Sequence, residues 1–164
     1  YFCKKNMKKK ILFVCLGNIC RSPMAEEIFR KQVDKEEIDH LFTIDSAGIL
    51  DYHKGELPDS RMRWHAEKRG YSLTHRSRPV TSDDFEQFDL IIGMDDTNIA
   101  ALKDKAPTIE AVKKVHRMTD FCSAHTIDHI PDPYYGGDLG FNLVIDLLED
   151  ACTGLLKSLK TESI

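Results

Sequence analysis

Ile11-Leu12-Phe13-Val14-Cys15-Leu16-Gly17-Asn18-Ile19-Cys20-Arg21-Ser22-Pro23 decides how the rest of the chain is read. Ile11 to Cys15 is an unbroken apolar run of strand length, the pattern of a strand buried on both faces. Gly17 and Asn18 follow, two residue types that enter left-handed backbone conformations readily, so the chain can turn tightly there. Ser22 and Pro23 then offer an N-cap and a proline at the first helical position. A helix from Pro23 to about Val33 is expected, with Ala25, Ile28, Phe29 and Val33 on one face. A strand that passes through a short loop straight into a helix opens an alternating α/β chain.

The alternation continues outward from this stretch. Phe42-Thr43-Ile44 reads as a second strand, Pro58 to Arg69 as a helix closed by Gly70, and Leu90-Ile91-Ile92 as a third strand. Asp96 to Lys105 reads as a helix and Val115 to Met118 as a short fourth strand. Asp138 to Lys160 is a long helix whose Phe141, Val144, Leu148, Cys152, Leu155 and Leu159 share a face. Strands separated by helices predict a mainly parallel sheet covered on both faces. No repeat, low-complexity tract or Pro/Gly/Ser-rich linker divides the 164 residues, so 8–164 is expected to form a single domain behind an N-terminal tail, 1–7.

Composition narrows the function classes. A chain with 41% hydrophobic and 30% charged residues is neither disordered, collagen-like nor membrane-embedded. The apolar run Ile11 to Leu16 is too short for a secretory h-region and leads straight into Gly17 and Asn18. The net charge is −4, and five of the basic residues are lysines crowded into positions 4–10, which leaves the body more acidic still. Nucleic-acid binding, which needs clustered Lys and Arg to neutralise phosphates, is not expected, and neither is a membrane partner. The five cysteines, Cys3, Cys15, Cys20, Cys122 and Cys152, are odd in number and lack C-x-x-C pairs, as expected of reduced thiols in a cytoplasm.

Open α/β sheets bind ligands beyond the carboxyl ends of their strands, and the first such end is Cys15 to Ser22. A bare C-x5-R is a weak signal. Here the cysteine closes a buried strand, Gly17 and Asn18 permit a tight loop, and a helix follows at once. The amides of Leu16, Gly17, Asn18, Ile19 and Cys20 would point inward, and the helix N-terminus adds partial positive charge, a cradle for a dianion. Arg21 would grip two phosphoryl oxygens through its planar fork, and the same field favours a thiolate on Cys15 as nucleophile. Thiolate attack on phosphorus requires an acid for the leaving oxygen and then a base for water. Asp132, in the proline-stiffened Ile130-Pro131-Asp132-Pro133-Tyr134-Tyr135, is the best candidate for both. Cys122, His125 and His129 form a C-x2-H-x3-H cluster, but three ligands fall short of a structural zinc set, so no metal is expected.

Cys15 to Ser22 with Pro23-Met24-Ala25-Glu26, Asp45-Ser46-Ala47-Gly48, Met94-Asp95 and Asp132-Pro133-Tyr134-Tyr135, in this order, resembles the low-molecular-weight protein tyrosine phosphatases across about 150 residues. The resemblance implies a flavodoxin-like three-layer α/β/α fold with a four-stranded parallel sheet. It also implies cofactor-free, metal-free hydrolysis of phosphotyrosine through a phosphocysteine. In its terms Cys15 is the nucleophile, Arg21 the phosphate clamp and Asp132 the general acid and then base. Ser22 would donate a hydrogen bond to the Cys15 sulfur, and Asn18 would hold the loop through Ser46 and His75, with Asp95 as a further support. Tyr52, Tyr134 and Tyr135 would line the slot with rings and favour phosphotyrosine over the shorter phosphoserine. A cysteine at the position of Cys20 can close a reversible disulfide with the nucleophile in relatives. The implied partners are a tyrosine-phosphorylated protein and a cognate tyrosine kinase.

Four other readings use the same loop. An arsenate reductase of this fold needs further cysteines on a mobile segment, and none lies between Arg21 and Phe121. Phosphoarginine phosphatases resemble this chain but carry Thr at the position of Ile19 and lack the tyrosine pair. A phosphocysteine carrier has no need of a water-activating carboxylate such as Asp132. A silent phosphotyrosine-binding module would usually have lost Cys15 or Arg21. Turnover of an aryl phosphate without an acceptor separates hydrolysis from the last two.

Overall fold

The computed structural model describes residues 8–133 and 137–161. The apolar run becomes β1 (Lys9–Cys15), and the other strands are β2 (Phe42–Gly48), β3 (Leu90–Gly93) and β4 (Val115–Arg117). They form one parallel sheet in the order β2-β1-β3-β4. The helices are α1 (Arg21–Lys35), α2 (Ser60–Lys68), α3 (Ser82–Gln87), α4 (Asp96–Lys105), α5 (Ile109–Val112) and α6 (Gly137–Lys160). With helices on both faces, this is the flavodoxin-like three-layer α/β/α arrangement.

Strand pleating sorts β1 between two cores. Ile11, Phe13 and Cys15 pack with Met24, Ile28 and Phe29 of α1 and with Phe141, Ile145 and Leu148 of α6. Leu12 and Val14 point the other way, to Phe85, Phe88, Leu102 and Ala111. A central strand dry on both faces accounts for the absence of polar alternation in 11–15. The chain runs outward from β1 to β2 and then returns past β1 to β3, so the order reverses between β1 and β3. The crevice at such a reversal, beyond the carboxyl ends, is where open α/β sheets bind ligands.

Three local expectations are corrected. α1 starts at Arg21 with Cys20 as its N-cap residue, and no side chain caps it. Ser22 sits inside the first turn because its hydroxyl is drawn to Cys15 Sγ and Asn18. The fourth strand ends at Arg117, since Met118 opens a 3-10 turn running to Phe121. β2 also extends further than Phe42-Thr43-Ile44, through Gly48, which pairs with Cys15. A Cβ at Gly48 would lie 3.0 Å from the Leu16 carbonyl oxygen and 3.1 Å from Asn18, so a side chain here would force the loop to give by a few tenths of an ångström.

Candidate active site

Cys15 is 2% exposed at the carboxyl end of β1, and the loop after it is held from outside by its own carbonyls. The carbonyl oxygens of Cys15, Leu16 and Ile19 accept from the backbone N–H groups of Ile49, Leu50 and Asp59, that of Cys20 from Met24, and that of Gly17 from Ser77 Oγ. By contrast, among the described residues the N–H groups of 17–20 donate to no protein acceptor. With its carbonyls anchored outward and its amides unengaged, the loop is a cradle of donors, and the N-terminus of the 15-residue α1 adds its partial positive charge. The Ser22 N–H donates to Cys15 Sγ at 3.4 Å, and Ser22 Oγ lies 3.0 Å from the same sulfur.

Asn18 locks the cradle. It is fully buried at φ 58°, a left-handed conformation unusual outside glycine. Its Nδ2 donates to Ser22 Oγ at 2.8 Å and Ser46 Oγ at 3.1 Å, while Oδ1 accepts from His75 Nε2 at 2.9 Å and the Arg78 N–H at 3.0 Å. Ser46 Oγ in turn donates to Glu26 Oε1 at 2.6 Å, and His75 Nδ1 lies 3.3 Å from that oxygen and 3.5 Å from Asp45. Among the described residues this Glu26, Asp45 and His75 trio is where donor atoms of a kind that could hold a metal converge. All three atoms are engaged with the loop supports. The C-x2-H-x3-H residues do not converge: His125 Nδ1 faces Asp150 at 2.8 Å, and His129 Nδ1 faces Asp128 at 2.7 Å.

Arg21, 2% exposed, donates from Nη1 to Asp95 Oδ2 at 2.6 Å and to the Ile130 carbonyl at 3.1 Å, and its Nη2 lies 3.6 Å from Asp132 Oδ2. Burial opposes its charge, but the Cys15 sulfur, hydrogen-bonded Asp95 and nearby Asp132 together hold its pKa above the ordinary value. Asp95 caps α4 through the Asn98 N–H, so a helix start just after β3 fixes the carboxylate that orients Arg21. Burial, with Asp59 and Cys15 close by, pushes the Cys20 thiol well up, which keeps it protonated at neutral pH.

The cavity above Cys15 has a volume of about 350 Å³. Cys15, Leu16, Gly17, Ile19, Cys20, Arg21, Tyr52 and Asp132 line it, while Asn18, Ser22, Ser46, His75 and Asp95 support it from behind. Tyr52 is 82% exposed at the rim, edge-on to His53. Tyr134 and Tyr135 lie outside the described residues. Leu50 and His53 also line the cavity, and neither carries a sequence signal beyond its closeness to Tyr52. The arrangement can hold a tetrahedral dianion over a sulfur, with one guanidinium and one carboxyl group beside it.

Known proteins give this geometry its context. Residues 10–164 match the family model described as low molecular weight phosphotyrosine protein phosphatase. The chain is 46% identical over 155 residues to a putative low molecular weight protein-tyrosine-phosphatase of Synechocystis, covering 94% of this chain and 99% of that one. A protein tyrosine phosphatase of Entamoeba histolytica, crystallised with Hepes in its active site, superposes with a TM-score of 0.93 at 45% identity, covering 96% of this chain and all of that one. A Drosophila arginine phosphatase superposes with a TM-score of 0.86 at 31% identity, covering 92% and 98%.

Proposed function

This chain belongs to the low molecular weight phosphotyrosine protein phosphatase family, and we propose that it hydrolyses phosphotyrosine in proteins through a phosphocysteine on Cys15. The Cys15 thiolate attacks phosphorus, the S–P bond forms as the P–O bond to the ring breaks, and the Asp132 carboxyl gives its proton to the departing phenolate oxygen. Asp132, now a carboxylate, takes a proton from water as that water attacks phosphorus. Inorganic phosphate leaves, and the thiolate is restored. Arg21 and the amides of 17–20 hold the equatorial oxygens, where charge develops. Leu16, Leu50 and Tyr52 offer apolar walls suited to an aromatic ring.

One observation carries this reading: a strand-end sulfur beneath unengaged loop amides shares one cavity with a carboxylate-tethered arginine and Asp132. With it go a tyrosine-phosphorylated protein as substrate, a tyrosine kinase as opponent, residues 8–164 as the working domain, and a cytoplasmic setting in which Cys20 can trap an oxidised Cys15 as a disulfide. Among the described residues, no helix is long and apolar enough to cross a membrane. The test is kcat/KM on phosphotyrosine, phosphoserine and phosphoarginine versions of one peptide, with chelator present, for the native protein and Cys15→Ser. Preference for phosphotyrosine with complete dependence on Cys15 is expected. Preference for phosphoarginine would reassign the substrate, and turnover by Cys15→Ser would remove the nucleophile.

A further inference from the structure

The cavity above Cys15 has a neighbour. Ile19 and His53, two of its walls, also line a second cavity of about 510 Å³, whose charged lining is Glu56, Asp59, Arg63 and Arg76. Both carboxylates are engaged. Asp59 caps α2 and accepts Arg61 on both oxygens at 3.1 Å, and Glu56 lies 2.9 Å from His53 Nδ1. The two arginines are tethered differently: Arg63 Nε donates to the Pro58 carbonyl at 3.1 Å, and Arg76 Nη1 donates to the Gly55 carbonyl at 3.2 Å.

Among the described residues neither Arg63 nor Arg76 has a carboxylate partner. Each of the other six arginines does: Arg21, Arg30, Arg61, Arg69, Arg78 and Arg117. In a chain with an excess of acidic residues, two guanidinium groups that pair with no carboxylate among the described residues, held by main-chain bonds in one cavity beside a phosphate cradle, are a matched pair of donors for an anion. We propose that this second cavity binds an anionic group, a carboxylate or a second phosphate, carried by the substrate peptide a few residues from its phosphotyrosine. Arg63 and Arg76 are then specificity-determining residues. The inference rests on the Cys15 cavity being the phosphotyrosine site. The planar arginine fork accepts carboxylate or phosphate oxygens in pairs. An extended peptide advances roughly 3.3–3.6 Å per residue, so a short flank spans adjoining cavities.

The test uses phosphotyrosine peptides in which a single Glu, or a single phosphoserine, is moved through the flanking positions of an otherwise neutral host. For the native protein, at one or two positions Glu is expected to raise kcat/KM about threefold to tenfold and phosphoserine more, both gains shrinking as salt rises. In the double variant Arg63→Gln/Arg76→Gln, in which the amide at position 63 can still donate to the Pro58 carbonyl, the ratio of anionic to neutral peptide should fall to about one. Arg76→Glu alone should shift the preference at that position toward Lys. A gain from phosphoserine only assigns the cavity to a second phosphate, and a gain from both assigns it to anions generally. The proposal is overturned if no position exceeds a twofold gain, or if the gain survives in the double variant. Each value is a ratio within one enzyme, so a general loss of activity does not imitate the result. Para-nitrophenyl phosphate, which has no flank, separates the two levels: its turnover by Cys15→Ser would sink the reading beneath, whereas Cys15-dependent turnover without flank preference sinks only the subsite.

Discussion

Replacing Asn18 tests whether the cradle is held by strain and side-chain bonds together. Asn18→Gly and Asn18→Ala both remove four hydrogen bonds, two donated to Ser22 and Ser46 and two accepted from His75 and the Arg78 N–H. Ser22 and Ser46 keep other partners, in Cys15 and Glu26. The net cost therefore falls on the Arg78 N–H and His75 Nε2, which lose their acceptor. At ~1–3 kcal/mol for each donor left unsatisfied, the glycine variant should lose about 2–6 kcal/mol of stability. Alanine must also hold φ near 58°, which costs roughly 1–2 kcal/mol, partly offset by glycine's greater freedom in the unfolded chain. Asn18→Ala should accordingly be about 1 kcal/mol less stable than Asn18→Gly, a reversal of the usual order. Urea unfolding measures both values, and para-nitrophenyl phosphate turnover should fall about 10- to 100-fold in the glycine variant because its amides no longer hold one arrangement. Equal or inverted stabilities would refute the strain reasoning, and native turnover in Asn18→Gly would refute the locking role.

Three further outcomes are expected. Asp95→Asn can keep the cap on α4 through Oδ1, but its amide NH2 then faces the buried Arg21 guanidinium where Oδ2 accepted, so steady-state kinetics should show kcat/KM down about 10-fold or more and urea unfolding a loss of about 1–3 kcal/mol. Gly154→Ala would place a Cβ 1.8 Å from the Phe121 carbonyl oxygen, an overlap of backbone against backbone that should cost at least about 2–3 kcal/mol in urea unfolding, with α6 displaced. Burial raises the Asp150 pKa, but His125 and the N–H groups of 123–125 outweigh it and hold the carboxyl near 2, against an ordinary value of about 3.9. The folded value lies below the unfolded one, so its contribution is complete above about pH 4 and is lost as pH falls through 2. The stability gap between the native protein and Asp150→Asn should close over that window.

Much of this was legible from residue order, for reasons that differ between elements. The apolar run of β1 and the Phe141 to Leu155 face of α6 are set by burial that repeats along the chain, and periodicity reports that directly. The extension of β2 through Asp45-Ser46-Ala47-Gly48 was not readable as strand, because its cause is pairing with β1 rather than local preference. α3 and α5, six and four residues long, are too short to show a helical period, although Asp84 reaching back to the Thr81 N–H is a capping signal three residues apart. At the site, Cys15 and Arg21 declare themselves because one seven-residue stretch carries both. Asp45 and Arg78 support the same loop from 33 positions apart, and Leu50 and His53 join the cavity through a turn with no signature, so only the folded chain brings them into view.

The central claim is a covalent phosphocysteine on Cys15, and acid-quenched turnover of a phosphorus-labelled aryl phosphate followed by peptide mapping tests it most directly. Label should appear on the peptide containing Cys15, be absent from Cys15→Ser, and accumulate in Asp132→Ala when the leaving group is acidic enough to depart unaided, because water then lacks its base. Label on another residue, or undiminished turnover by Cys15→Ser, would contradict the account.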